Sequence, residues 1–220
     1  MNEPTTTSPT EVPARVDVAF PLAGERVPIE HGYGLFGAMC RVLGDLHGAP
    51  WLSVHPIRGV STGDGMLGLR AHNLALRLRV DPAELLRVLP LAGSTLNIEG
   101  HPVMVGTSRV FALEPAGELA ARMVIIKNGV EREEFEGCLQ RKLEAMGVSA
   151  EVEIPTRPTL SAGPHEDGRR VLRIRGQYIV GYPVILRGLS AEHSLRVQAL
   201  GIGGRQRFGC GVFSQVWSRG

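Results

Sequence analysis

Aromatic residues make up only 5% of this 220-residue chain, and cysteine occurs three times, at Cys40, Cys138 and Cys210. Three widely spaced cysteines with no C-x-x-C pair exclude a disulfide framework and a zinc knuckle, and they fit a reducing, cytoplasmic setting. A long apolar run and a signal segment are both missing, so a soluble protein outside the membrane is expected. No Gly-Lys-Ser/Thr closes a P-loop, and no strand, Gly-x-Gly-x-x-Gly and helix follow one another as a dinucleotide site requires. A Gly-x-Ser-x-Gly elbow is absent, which removes an acylating serine hydrolase. His-Glu-x-x-His and paired acidic motifs are absent too, so neither a metal nor a cofactor is expected. None of the histidines has Ser or Thr two residues on, as a two-histidine phosphodiesterase would need.

What is present sits near the end of the chain. Gly201 to Gly211 holds five glycines, with Arg205, Arg207 and Phe208 among them. Glycine accepts positive φ and lets backbone press closely on a neighbour. By themselves the glycines read as a flexible turn before a last strand. Arginine adds a planar fork for phosphate, and phenylalanine adds a stacking face for a base. Gly203, Gly204, Arg205, Arg207 and Phe208 are therefore expected to contact nucleic acid. The formal net charge of +2 hides an asymmetry: residues 169–220 hold nine arginines, no lysine and one acid, Glu192, a local net of +8. All-arginine usage favours phosphate recognition over plain solubility. In the strand beginning at Arg169, a period of two sets Arg169, Arg173 and Arg175 on one face as a phosphate track. Leu172 and Ile174 face the core.

The hydrophobic pattern predicts a strand from Val16 and a helix from Glu30 or His31 to about Gly48. Strands follow over Trp51–Ile57 and Asn73–Val80. In the latter, Leu74, Leu76, Leu78 and Val80 share one face, with Arg77 and Arg79 on the other. Asp81-Pro82-Ala83-Glu84 starts a short helix with Leu85, Leu86 and Leu89 on its apolar side. His101–Leu113 is a strand, and Glu114–Gly117 a linker. The order then repeats: strand Met123–Lys127, helix Glu131–Met146, strand Ser149–Ile154, and a polar loop Pro155–Gly168. One long strand or a bent pair spans Arg170–Leu186, a helix capped by Ser190 runs to Leu200, and Val212–Trp217 is the last strand. Two β-α-β-β-α-β orders predict an α+β protein of two tandem ferredoxin-like modules with antiparallel sheets. The expected division is a tail over 1–14 and modules over 15–115 and 116–220.

A tandem ferredoxin-like chain with an arginine-bearing glycine loop between its last helix and last strand resembles the RAMP proteins of CRISPR systems. His31-Gly-Tyr33-Gly-Leu-Phe36-Gly-Ala38 and His55-Pro-Ile-Arg58-Gly59 are similar to the subgroup that cuts CRISPR precursor RNA within its repeats. The resemblance implies metal-independent cleavage that leaves a 5′-hydroxyl and a 2′,3′-cyclic phosphate, with repeat RNA in hairpin form as the expected partner. Other CRISPR effector proteins are further partners that the resemblance implies. Such chemistry needs a base for the 2′-hydroxyl, an acid for the leaving oxygen and a positive group for the phosphorane. His31, at a helix start, is the first candidate for base or acid, against a core role four residues before Leu35. Tyr33 and His47 are further candidates for the acid; His47 also suits a helix C-cap. His55 either orients RNA or fills the core, and Arg58 beside it is a candidate RNA contact. No lysine lies near His31, unlike some relatives, so the charge-stabilising group is open. The competing reading is a non-catalytic RAMP subunit that holds guide RNA.

Overall fold

The computed structural model describes residues 12–44, 46–69, 74–156, 168–174 and 176–216, except the side chain of Arg173. In chain order the first half contains β1 (Val16–Gly24), β2 (Arg26–Pro28), α1 (Gly32–Leu43), β3 (Leu52–Val54), β4 (Val60–Ser61), β5 (Met66–Gly68) and β6 (Ala75–Val80). Two 3₁₀ turns (Pro82–Arg87, Leu89–Leu91), β7 (Thr95–Ile98), β8 (His101–Val105) and β9 (Arg109–Ala112) complete it. The second half contains β10 (Glu118–Val124), α2 (Arg132–Ala145), β11 (Glu151–Glu153), β12 (Arg170–Ile174), β13 (Gln177–Arg187), α3 (Ala191–Leu200), a 3₁₀ turn (Gln206–Phe208) and β14 (Ser214–Gln215).

Both halves are ferredoxin-like. The strands run β3-β6-β1-β9 in the first sheet and β11-β13-β10-β14 in the second, antiparallel throughout. In each, the first and third strands of the unit lie side by side at the centre. Each sheet has its own core. Leu35, Phe36, Ala38 and Met39 of α1 recur at helical spacing and pack on Val18, Phe20, Leu76 and Leu78. Phe135, Leu139 and Leu143 of α2 pack on Tyr182, Val184 and Leu186. Among the described residues no helix is long and apolar enough to cross a membrane.

Several elements differ from the sequence expectation. The helix after Asp81 is two 3₁₀ turns. Asp81 caps it as expected, its Oδ1 accepting from Ala83 N–H at 2.9 Å, but Pro82 and Pro90 limit α-helical bonding. Its period of three buries Val88 and Leu91 and leaves Leu86 exposed. The strand expected over His101–Leu113 is divided, because Pro21 in β1 has no N–H to continue one ladder. Its carbonyl instead accepts from Gly106 N–H at 2.7 Å, where the chain passes from β8 to β9. The expected Arg170–Leu186 strand is the β12–β13 hairpin, and β10 begins earlier than expected. A small sheet of β2, β5 and β4 was not predicted. The expected tail and loop fall mostly outside the described residues.

Two buried polar contacts fix the architecture. Arg79 projects from the face of β6 opposite Leu76 and Leu78 and is 2% exposed. Its Nε and Nη2 donate to Asp17 on β1 at 2.9 and 3.1 Å, and its Nη1 donates to the Gln198 and Phe213 carbonyls at 2.7 and 2.8 Å. Those carbonyls flank the glycine loop on either side. His31, before α1, is fully buried. Its Nε2 accepts from Ile57 N–H at 2.9 Å, so Nδ1 carries the proton and donates to the Pro28 carbonyl at 2.9 Å. Burial, aided by the charge of Arg122 and opposed by the Pro28 carbonyl, lowers its pKa to about 4.

Replacing Arg79 by Met should destabilise the protein by about 3–5 kcal/mol, because Asp17 and two carbonyls lose their donor in the interior. Chemical denaturation of Arg79→Met, Asp17→Asn and the double variant should show clear non-additivity; additive effects would dissolve the staple.

His31→Ala should cost about 2–4 kcal/mol at pH 7 by orphaning an amide and a carbonyl and opening a void. Burial also lowers His55 to about 4 despite the nearby Asp17 carboxylate. Both pKa values lie below the ordinary 6.5, so the unfolded chain takes up protons first as pH falls. Their stabilisation is complete above about pH 6.5 and is lost as pH falls through about 4. Urea midpoints at pH 7, 5.5 and 4.5 should decline in that window, with a shallower decline in His31→Ala.

Candidate active site

Helix α1 starts against the glycine loop: a Cβ on Gly32 would lie 2.3 Å from the Phe208 carbonyl oxygen, so only glycine admits that approach. Tyr33, Phe36, Gly37 and Cys40 then share a helix face that opens on a cleft of about 400 Å³. Gly44, with φ 83°, stops the helix. The returning chain sets the His47 ring edge-on to Phe36, with centroids 5.4 Å apart. Phe208 meets the same Phe36 ring edge-on at 5.3 Å and lies 5.8 Å from the Tyr33 ring. The Arg207 guanidinium stands 5.6 Å over Phe36, and its Nη1 donates to the Leu46 carbonyl at 3.1 Å. Phe36 is thus the hub of the site. Tyr33 and His47 line one cleft, and Arg207 is anchored at the residue before His47.

His47 also lines a second open cleft, of about 490 Å³, between β3 and the glycine loop. Arg15, Arg205 and Arg207 line it as well. Arg205 is exposed and left-handed, with φ 66°, and its carbonyl accepts from the Phe208 and Cys210 amides. Three guanidinium groups along one groove attract an anionic chain and raise its local concentration. Among the described residues no three His, Cys, Asp or Glu side chains converge as a metal site.

The glycines are needed for contacts within the protein. A Cβ on Gly203 would lie 2.3 Å from the Ile125 carbonyl oxygen, and one on Gly211 2.1 Å from that of Ile202. Gly204 N–H donates to Ile125 at 2.9 Å, and Gly211 N–H to Met123 at 2.7 Å. The loop is welded to the end of β10, and the Gly204 amide expected to reach a phosphate is already engaged. The Phe208 ring is half-buried and packs on Phe36 and Tyr33.

The sequence candidates separate sharply. His31, the first candidate for base or acid, is fully buried with both ring nitrogens bonded to backbone, so of its two readings the core role holds and it is corrected to a structural residue. His55 fills the core, with Nε2 3.6 Å from Asp17 Oδ1 and no hydrogen bond to that atom among the described residues. Against the opposing effect of burial, the neighbouring His55 ring and the Arg79 guanidinium bonded to both its oxygens hold the Asp17 carboxyl far below its usual range. Arg58 is exposed and donates to Ser214 Oγ at 3.0 Å. Arg169 pairs with Glu131 at 2.9 Å. Leu172 and Ile174 are buried as expected, while Arg175 and the Arg173 side chain lie outside the described residues. Tyr33, His47 and Arg207 are the expected residues that converge. Sequence reasoning missed Arg15, Arg41 and Glu99 of the two clefts. The Asn97-Ile-Glu-Gly100 turn was a legible signal for the last.

The family model described as "Cas6 Crispr" matches residues 16–216. A "CRISPR-associated endonuclease Cas6" from Myxococcus xanthus (strain DK1622) is 40% identical over 198 residues, covering 90% of this chain and 80% of that protein. The solved structure of a "CRISPR associated protein Cas6" superposes with a TM-score of 0.61 at 13% identity, covering 93% of this chain and 99% of that one. A Cas6-related protein of Pyrococcus furiosus gives 0.58 at 15% identity, with 91% and 97% covered. These two share the fold. Matched by its model across nearly its whole length and at 40% identity by a curated member, this chain belongs to the Cas6 family.

Proposed function

We propose that this protein is an endoribonuclease that cuts CRISPR precursor RNA within its repeats by acid–base chemistry without a metal. The observation that carries the reading is the meeting of Tyr33, His47 and Arg207 around Phe36, with His47 shared between the cleft that Tyr33 lines and the groove that Arg207 lines. An imidazole and a phenol can exchange protons with a ribose hydroxyl and a leaving oxygen, and a guanidinium supplies fixed positive charge. The identity with a protein named as a CRISPR-associated endonuclease supports the reaction class.

The base role expected of His31 passes to His47. His47 takes the proton of the 2′-hydroxyl, and the 2′-oxygen attacks the adjoining phosphorus. Arg207, fixed by Leu46 and Phe36, faces the charge that builds on the phosphorane. The bond to the 5′-oxygen breaks as the Tyr33 hydroxyl gives that oxygen a proton. The products are a 2′,3′-cyclic phosphate and a 5′-hydroxyl. A repeat hairpin would lay its backbone along the cleft of Arg15 and Arg205, held by phosphate contacts and shape.

His47→Ala and Tyr33→Phe should each slow single-turnover cleavage of repeat RNA by about 10²–10⁴-fold while binding persists. Wild-type rates in His47→Ala would remove His47 from the chemistry. The wild-type protein should cut in EDTA and should bind, without cutting, RNA with a 2′-deoxy sugar before the scissile phosphate. Loss of cutting in chelator, restored by magnesium, would replace the mechanism. If the wild type binds repeat RNA and cuts none, a subunit that only holds RNA becomes the better reading.

Arg205→Ala should weaken RNA binding and reduce the slope of log K against log salt by about one, as for one lost phosphate contact. Filter binding between 50 and 200 mM salt, on the order used for such slopes, measures it; an unchanged slope would take Arg205 off the RNA path.

A further inference from the structure

Opposite Tyr33, the first cleft is walled by the tip of the β7–β8 hairpin. The tip is the two-residue turn Glu99-Gly100, with φ 51° and 90°. Two positive φ values make a type I′ turn, which takes Asn or Asp readily at its first position. Glutamate there occupies the left-handed region without that short-side-chain compensation. The turn is nonetheless fixed in place. Asn97 Oδ1 accepts from Gly100 N–H at 2.7 Å, and Arg41 of α1 donates to the Asn97 carbonyl at 2.6 Å. The Glu99 side chain lies on the first turn of α1: a Cβ on Gly34 would stand 2.7 Å from its Cγ and 2.8 Å from its Oε1. Glycine at 34 leaves room for that carboxylate beside Tyr33. No hydrogen bond or ion pair engages it among the described residues.

A carboxylate repels phosphate, so in a cleft for RNA it suits a base. It accepts hydrogen bonds and gives none. Guanine alone among the four bases offers two adjacent N–H donors, N1–H and N2–H, on its Watson–Crick edge. Adenine and cytosine set one amine beside an acceptor nitrogen, and uracil sets one N–H between two carbonyls. Unstacked bases of single-stranded RNA are read on those edges. We propose that Glu99 is a specificity-determining residue that reads a guanine splayed into the cleft next to the phosphate that is cut. The inference rests on the reading of this cleft as an RNA site. Glu99 also lies near the start of a helix with no acid in its own first turn. A purely electrostatic role there would alter stability and leave base preference untouched.

The experiment uses two pools of hairpin RNA with randomised single-stranded positions: an all-ribose pool selected by cutting, and a 2′-O-methyl pool selected by binding. The wild type should enrich guanosine at one position about ten- to hundredfold, the usual worth of a bidentate base contact. Glu99→Ala should lose that enrichment at that position alone. Glu99→Gln should move it towards adenosine, which a carboxamide pairs bidentately. Guanosine enrichment that survives in Glu99→Ala, or is missing from both wild-type pools, overturns the inference. So does a lowered unfolding midpoint in Glu99→Ala with unchanged base preference, which returns Glu99 to the helix start. If the wild type cuts nothing but binding enrichment appears and vanishes in the variant, the nuclease reading falls and guanine recognition stands.

Discussion

The candidate cleft depends on a guanidinium that never reaches it. Arg79 is bonded on one side to Asp17, within the first sheet, and on the other to the carbonyls of Gln198 and Phe213. Gln198 lies in the last turn of α3, where carbonyls carry the negative end of the helix and favour a cation. Phe213 follows the glycine loop directly. One side chain therefore holds both ends of the loop against the first module. Burying a guanidinium costs several kcal/mol unless its donors are matched. Here the four contacts meet that demand, and the requirement for all four makes the relative position of the two sheets specific.

With its ends held, the loop delivers Arg207 and Phe208 onto α1. The glycines allow the backbone to close on Ile125, Met123 and Ile202 at distances a Cβ would forbid. Aromatics are scarce in this chain, yet Tyr33, Phe36 and Phe208 gather at this place. Edge-to-face contacts between them orient rings at modest energy each, and together they set the positions of Tyr33, His47 and Arg207. The cleft is composite: helix and histidine come from the first module, and the arginine from the second. Under the proposed mechanism, loosening the contact between modules would misplace a proton-transfer group relative to its cation, and small displacements of that kind lower rates steeply.

The two histidines at either end of α1 have opposite fates for a plain physical reason. His31 enters a core where both nitrogens meet backbone partners, and burial favours its neutral form at the expense of exchange with solvent. His47 follows the helix stop, is exposed, and meets the edge of Phe36. A histidine used for chemistry must trade protons with a substrate, which is why the proposed base is the exposed ring and not the buried one.

Local pattern was enough for much of the fold. The spacing of Leu35 and Met39, the stop at Gly147, the Ser190 cap, and the alternation around Leu76 and Leu78 each follow from period and capping, which neighbours in sequence encode. Two β-α-β-β-α-β orders then led to tandem ferredoxin-like modules. Tyr33, His47 and Arg207 could be named as candidates by residue type and resemblance. The tertiary structure decided which of them lie together. Burial of His31 needs Pro28 and Ile57 from different segments. The use of the glycine amides needs β10, and the role of Arg79 needs carbonyls more than a hundred positions away. The period of two correctly put Arg79 on the face away from Leu76 and Leu78. That the second module covers that face is a long-range fact, and no local pattern carries it.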